Sequence, residues 1–152
     1  MTPLLQRMRE ELVRRNYAES TVYTYLQAVD AFRHHIGKRL DHVGPDDLRR
    51  YHTFLIEDRK LAIGTVVMRI SALRFLYVRV LKRRDMKEDL PYPKRPKRLP
   101  TVLSQEEVRR LIGSAKNLFH RAMLMTLYAA GLRRSELCRL KVSNIDSQRM
   151  VK

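Results

Sequence analysis

The chain has 152 residues and 44% hydrophobic content, enough for one ordinary domain or two small ones with cores of their own. Its formal charge of +16 and pI near 10.6 point to a polyanionic partner, most often nucleic acid. One cysteine, Cys138, excludes an internal disulfide and a cysteine zinc cluster, and His34, His35, His42, His52 and His120 fall at no recognised metal spacing, so no metal or cofactor is expected.

Residues 1–90 carry +6, residues 91–99 carry +4 and residues 100–152 carry +6, so the basicity is spread along the chain. The opening sixteen residues hold no apolar core of signal-peptide length and mix acids among the bases. That argues against secretion and leaves the cytoplasm, at the nucleoid, as the default location.

The first ninety residues predict four amphipathic helices. Thr2 and Pro3 suit an N-cap and a first turn, and Leu4, Leu5, Met8 and Leu12 share a face that ends near Asn16. A second helix begins near Ser20, with Val22, Leu26, Val29, Phe32 and Ile36 inward and Gly37 at its end. Gly44-Pro45-Asp46-Asp47 opens a third, which buries Leu48, Tyr51, Phe54 and Leu55 and stops near Asp58. The fourth is predicted from Thr65 to Arg84, with Val66, Ile70, Leu73, Tyr77 and Val80 on its core side. Its cations Arg69, Arg74, Arg79, Lys82, Arg83 and Arg84 scatter round a helical wheel, and a solvated bundle surface explains them as well as a recognition face does.

Four of the six prolines fall within Pro91–Pro100, a stretch that cannot be helix or central strand. With Lys94, Arg95, Lys97 and Arg98 inside it, this linker is extended and strongly cationic. It is either a solvated spacer or a strap along a phosphate backbone, whose binding would be steeply salt-sensitive. Tyr92 stacks on a ligand or packs against a helix end, and both readings stand.

Ser104-Gln105-Glu106-Glu107 is a capping box for a helix with Val108, Leu111 and Ile112 inside, ending near Lys116. From Ala122 to Leu132 the only polar groups are those of Thr126 and Tyr128, a run too short for a membrane span and therefore expected as a helix buried nearly all round. Gly131 is its natural stop. Arg133 to Leu137 are expected to open a short helix carrying a half-buried Cys138. Val142, Ile145, Met150 and Val151 suggest a turn and the first residues of a strand, whose unpaired edge would imply further sequence.

Two cations at a helix start face the positive end of the backbone dipole, so an anion is needed nearby. Glu136, three residues after Arg133, supplies one through an ordinary salt bridge; an external phosphate, which guanidinium grips in a bidentate fork, would supply another.

Tyr128-Ala129-Ala130-Gly131-Leu132-Arg133-Arg134-Ser135-Glu136-Leu137, followed by Leu140 and by Asn144-Ile145-Asp146, resembles the first catalytic box of the tyrosine recombinase (phage integrase) family, Xer-like branch. The resemblance picks Arg133 as a catalytic arginine and Glu136 as a supporting residue, and leaves Arg134 variable. It extends back over nearly the whole chain. The fold it implies is mainly α: a four-helix SAM-like core-binding domain at 1–86, a basic Pro-rich linker at 87–102, and the helical start of an incomplete catalytic domain at 103–152.

It further implies duplex DNA as partner, with Arg69, Arg74, Lys94, Arg95, Lys97 and Arg98 as contacts, and further protomers on the DNA site. The family's chemistry is metal-free phosphoryl transfer, in which a tyrosine attacks the phosphorus and becomes joined to the strand's 3′-phosphate. The 152 residues contain no His-x-x-Arg box. Tyr17, Tyr23, Tyr25, Tyr51, Tyr77, Tyr92 and Tyr128 are read as packing residues, none at the nucleophile position. The expectation is thus a truncated recombinase that binds DNA without completing cleavage. An autonomous basic DNA-binding regulator or decoy is the alternative, and a basic RNA-binding protein explains the charge but not the box.

Overall fold

Local hydrogen bonding and the placement of Pro and Gly decide most helix ends. The computed structural model describes residues 2–94 and 99–145, without the Val142 side chain. The chain falls into two compact units, Met1–Lys97 and Arg98–Lys152. Among the described residues there are seven α-helices and no strand, so the protein is mainly α.

In the first unit α1 runs Pro3–Arg14, α2 Glu19–Ile36, α3 Pro45–Ile56 and α4 Ile63–Arg74. Pro3 and Pro45 each occupy the first turn, where a missing N–H costs nothing. Thr2 sits at the N-cap of α1 in an extended conformation, but its hydroxyl makes no capping bond and is buried without a partner. Gly37 closes α2 in the left-handed region, at φ 63°, and its N–H donates to the Arg33 carbonyl oxygen.

The apolar faces meet in one core. Met8, Leu12, Val29, Phe32, Leu48, Tyr51, Leu55, Ile70 and Leu73 are all essentially inaccessible, each such large side chain contributing roughly 1.5–3 kcal/mol relative to exposure. Phe32 meets Tyr51 edge to face at 4.7 Å, and His35 stacks on Phe54 at 4.0 Å. The core extends past the fourth helix: Met86, in a 3-10 turn at Asp85–Lys87, and Leu90 are fully buried. Residues 87–90 therefore belong with the packed unit as much as with the linker.

The fourth helix is shorter and less regular than its periodicity predicts. After Arg74 the winding loosens into a π-helical stretch at Phe75–Val80, and the Leu81 N–H donates to the Leu76 carbonyl oxygen at 2.9 Å. Lys82, at φ 61°, then breaks the path. Two long-range bonds hold this segment: the Tyr77 hydroxyl donates to the Leu40 carbonyl oxygen at 3.0 Å, and Arg83 Nη1 to the Val43 carbonyl oxygen at 2.8 Å. Both bonds satisfy carbonyls of the α2–α3 connection, and the helix stops short of Arg84.

In the second unit α5 runs Gln105–Gly113, α6 Leu118–Ala130 and α7 Arg134–Leu137. The Ser104 capping box forms: Ser104 Oγ accepts the Glu107 N–H at 3.3 Å and Glu107 Oε2 accepts the Ser104 N–H at 2.7 Å. Gly131 ends α6 at φ 61°. Burial, however, departs from expectation. None of the residues of α6 is buried; Leu118 is 82% and Tyr128 56% accessible, and Phe119 and Met125 are also exposed. Leu111 of α5 is exposed as well, and Cys138 is exposed rather than half-buried. An all-round apolar helix needs cover on every side, and within its own unit its main neighbours among the described residues are the nine-residue α5 and the four-residue α7. A 3-10 turn comes next at Val142–Asn144; the strand expected around Met150 and Val151 lies outside the described residues.

Candidate nucleic-acid interface

The left-handed turn at Gly131 reverses the chain after α6, and Leu132, half-buried, leads into α7. Arg133 is the N-cap of α7, not its first helical residue, with extended backbone. A guanidinium cannot accept a helix N–H, so only half of a capping box is available: Glu136 Oε2 accepts the Arg133 N–H at 2.7 Å. Glu136 Oε1 accepts a bond from Arg133 Nη1 at 3.0 Å. The same carboxylate thus fixes both backbone and side chain of Arg133. The Arg133 N–H first, and its guanidinium second, hold the Glu136 carboxyl below the usual carboxylate range.

The salt bridge read from the spacing is therefore present, yet it does not consume the arginine. The Arg133 side chain is 84% accessible, and most of its N–H donors face solvent. What the arrangement can do chemically is present a cation of fixed direction to an anion outside the unit.

In the first unit the two arginines singled out on α4 are both half-buried and engaged. Arg69 Nη1 donates to the Tyr51 hydroxyl at 3.2 Å, while its Nε is buried without a partner. Arg74 lies over the Tyr92 ring, 4.5 Å from the centroid, and its Nη2 donates to the Lys87 carbonyl oxygen at 3.3 Å. Neither pairs with a carboxylate among the described residues. Tyr92 therefore packs on a helix of its own unit, with its hydroxyl 3.3 Å from Ser71 Oγ. Lys94 is exposed; Arg95, Lys97 and Arg98 lie outside the described residues.

One acid of this unit is spent on its own frame. Asp47, the one buried charged residue among those described, accepts bonds from the Gly44 N–H at 3.1 Å, Lys38 Nζ at 3.1 Å and Arg50 Nη2 at 2.8 Å. The Gly44 amide and then Lys38 hold its carboxyl below the usual range. His52 has a buried, unpartnered Nε2, and burial lowers its affinity for a proton. Among the described residues there is no group of three metal-ligating side chains, and no helix is long and apolar enough to cross a membrane. Sequence reasoning missed Tyr51 as the partner of Arg69 and Arg79 as a neighbour of Arg74. The first is a tertiary contact, and the second depends on the π-helical winding.

Comparison with known proteins respects this division. Residues 4–86 match the phage integrase N-terminal SAM-like domain, and residues 101–151 match the phage integrase family. An integrase/recombinase of Sinorhizobium fredii, y4qK, is 45% identical over 152 residues, covering 99% of this chain and 49% of the relative. Tyrosine recombinase XerC of Bacillus pumilus is 31% identical over 88% of this chain and 48% of its own length. The crystal structure of XerA recombinase superposes with a TM-score of 0.53 at 31% identity, covering 94% of this chain and 51% of that one. The chain spans about half the length of the curated relatives it matches. With a family model on each unit and the Gly-Leu-Arg-Arg-Ser-Glu box held as described, this chain belongs to the phage integrase family, the tyrosine recombinases.

Proposed function

We propose that the chain is the DNA-binding unit and first catalytic box of a site-specific recombinase acting in DNA recombination and integration. The observation that carries this reading is Arg133: a guanidinium aimed by Glu136 yet 84% accessible, on a polypeptide of charge +16. In the family's reaction, negative charge accumulates on the oxygens of the phosphate under attack. Arg133 donates N–H bonds to those oxygens and stays protonated throughout, while Glu136 keeps it from swinging away. Glu136 acts through Arg133 and is a positioning residue.

Duplex DNA is the partner. Arg69 and Arg74 face it from α4, and the linker cations Lys94, Arg95, Lys97 and Arg98 run along its backbone. Several protomers share one site. The units divide as residues 1–86, a linker at 87–102 whose first residues pack on the first unit, and residues 103–152. Without a His-x-x-Arg box among them, these 152 residues bind DNA and leave it uncut.

Fluorescence anisotropy on a labelled duplex across a salt series tests this. Replacing the four linker cations with alanine flattens the dependence of log K on log salt by roughly 3–4 units, since each neutralised phosphate contributes about 0.9. An unchanged slope contradicts the strap, and a covalent protein–DNA adduct on a denaturing gel contradicts the absence of cleavage.

A further inference from the structure

We propose that the cleft where α4 passes into its π-helical stretch holds one unpaired nucleotide of a DNA strand, its base against tyrosine rings and its phosphate on Arg79 and Lys87. The proposal rests on the reading of the chain as a DNA-binding protein and adds a ligand that duplex binding does not require.

The cleft has a volume of about 320 Å³ and lies wholly within the first unit. That is the lower end of pockets that enclose a small molecule, roughly 300–1,000 Å³, and is too small for a duplex groove. One wall is an aromatic triangle: Tyr17 lies 5.6 Å from Phe75 and 6.1 Å from Tyr25, and Tyr25 lies 6.3 Å from Phe75. Tyr92 forms another wall, 50% accessible, with one ring face covered by Arg74. Ser71 and the phenols of Tyr25 and Tyr92 bring hydroxyls to the same space, suited to the polar edge of a base.

Among the described residues three cations line it, Arg74, Arg79 and Lys87, and no carboxylate does. None of the three takes part in an ion pair among the described residues. The winding of the chain puts two of them together. In an α-helix residues five apart point about 140° away from each other, whereas π-helical winding, with bonds from i to i+5, returns them to one face. The stretch Phe75–Val80 is wound that way and brings Arg79 to the cleft that Arg74 borders.

Each half of this lining excludes a simpler occupant. A backbone phosphate of a paired duplex has no use for three tyrosines and a phenylalanine, and an apolar side chain has no use for three unpaired cations. A nucleotide displaced from its stack satisfies both, because its base has a π-face and its phosphate a charge.

The test compares two DNAs in one assay: anisotropy of a labelled oligothymidylate and of a labelled, fully paired duplex, with the whole 152-residue chain. The unmodified protein is expected to bind both. Arg79→Ala should weaken the single strand about fivefold or more and reduce its salt slope by about 0.7, with duplex affinity held within about twofold. Tyr92→Ala should weaken the single strand about tenfold, while Tyr92→Phe, which keeps the ring, retains it. Equal losses on both DNAs, no loss on either, or a Tyr92→Phe defect as large as that of Tyr92→Ala overturns the proposal. So does failure of the unmodified protein to bind oligothymidylate while it binds duplex, a result that leaves the duplex reading standing. Binding to neither DNA removes both.

Discussion

The two units are both helical and reach different states of burial. The first packs helices of 12, 18, 12 and 12 residues, each with one apolar stripe, and more than twenty of its side chains are buried hydrophobics. The second has helices of 9, 13 and 4 residues and buries no side chain of any of them. Its central helix is nevertheless the most apolar of the three. The contrast teaches that a stripe needs one neighbour and finds it within its own unit, whereas a helix apolar on all sides is only as buried as the number of elements placed round it. Apolar composition states a demand for cover, and the surrounding architecture decides whether the demand is met.

The largest effect that would break this contrast is a core truncation. Phe32→Ala should lower the stability of the first unit by about 3–5 kcal/mol in urea unfolding, because the surrounding rings and aliphatics cannot collapse fully into the space. Met125→Ala in α6, where the side chain is exposed, should change stability by less than about 0.5 kcal/mol. Comparable losses at the two positions would show that α6 is covered in solution.

A smaller effect sharpens the picture of the first unit's frame. Asp47 has a folded-state pKa below its unfolded value, so the stability it contributes is complete above the unfolded pKa, about 3.9. It is lost as pH falls through the lower, folded value. Thermal melts below about pH 4 should therefore fall steeply for the native chain and less steeply for Asp47→Asn, which has no carboxyl to protonate. Parallel acid limbs would mean that other carboxylates carry the acid response.

The smallest expected effect concerns Arg133. Its side chain is solvent-exposed and, among the described residues, bonded only to the neighbouring Glu136. Arg133→Ala should therefore leave the unfolding midpoint of the first unit unchanged, while far-ultraviolet dichroism keeps its helical signal. A large drop in stability would assign the arginine to the fold instead of to a phosphate.

Much of the fold is legible in the sequence, and for one reason: the determinants are local. Pro3 and Pro45 start helices because a proline in the first turn forfeits no bond. Gly37 and Gly131 end helices because left-handed backbone strains a side chain. Ser104 and Glu107 cap each other across three residues, and Glu136 reaches Arg133 across the same interval. The spacing of Leu5, Met8 and Leu12, or of Val66, Ile70 and Leu73, already names the face that is buried. The box around Arg133 was legible for the same reason, being ten consecutive residues.

What the tertiary structure alone decided involves groups far apart in the chain. Tyr77 and Arg83, in and just after the π-helical stretch, bond the Leu40 and Val43 carbonyls about forty residues earlier, contacts that no local pattern announces. Leu90 falls inside the predicted linker at 87–102 and is core. Arg69 and Arg74 read from the sequence as DNA contacts on the polar side of the fourth helix, and their contacts to Tyr51 and Tyr92 are tertiary. Periodicity reports which side of an element is apolar. Which partner arrives there, and whether enough of them arrive, depends on contacts closed across long stretches of chain, and no local pattern encodes them.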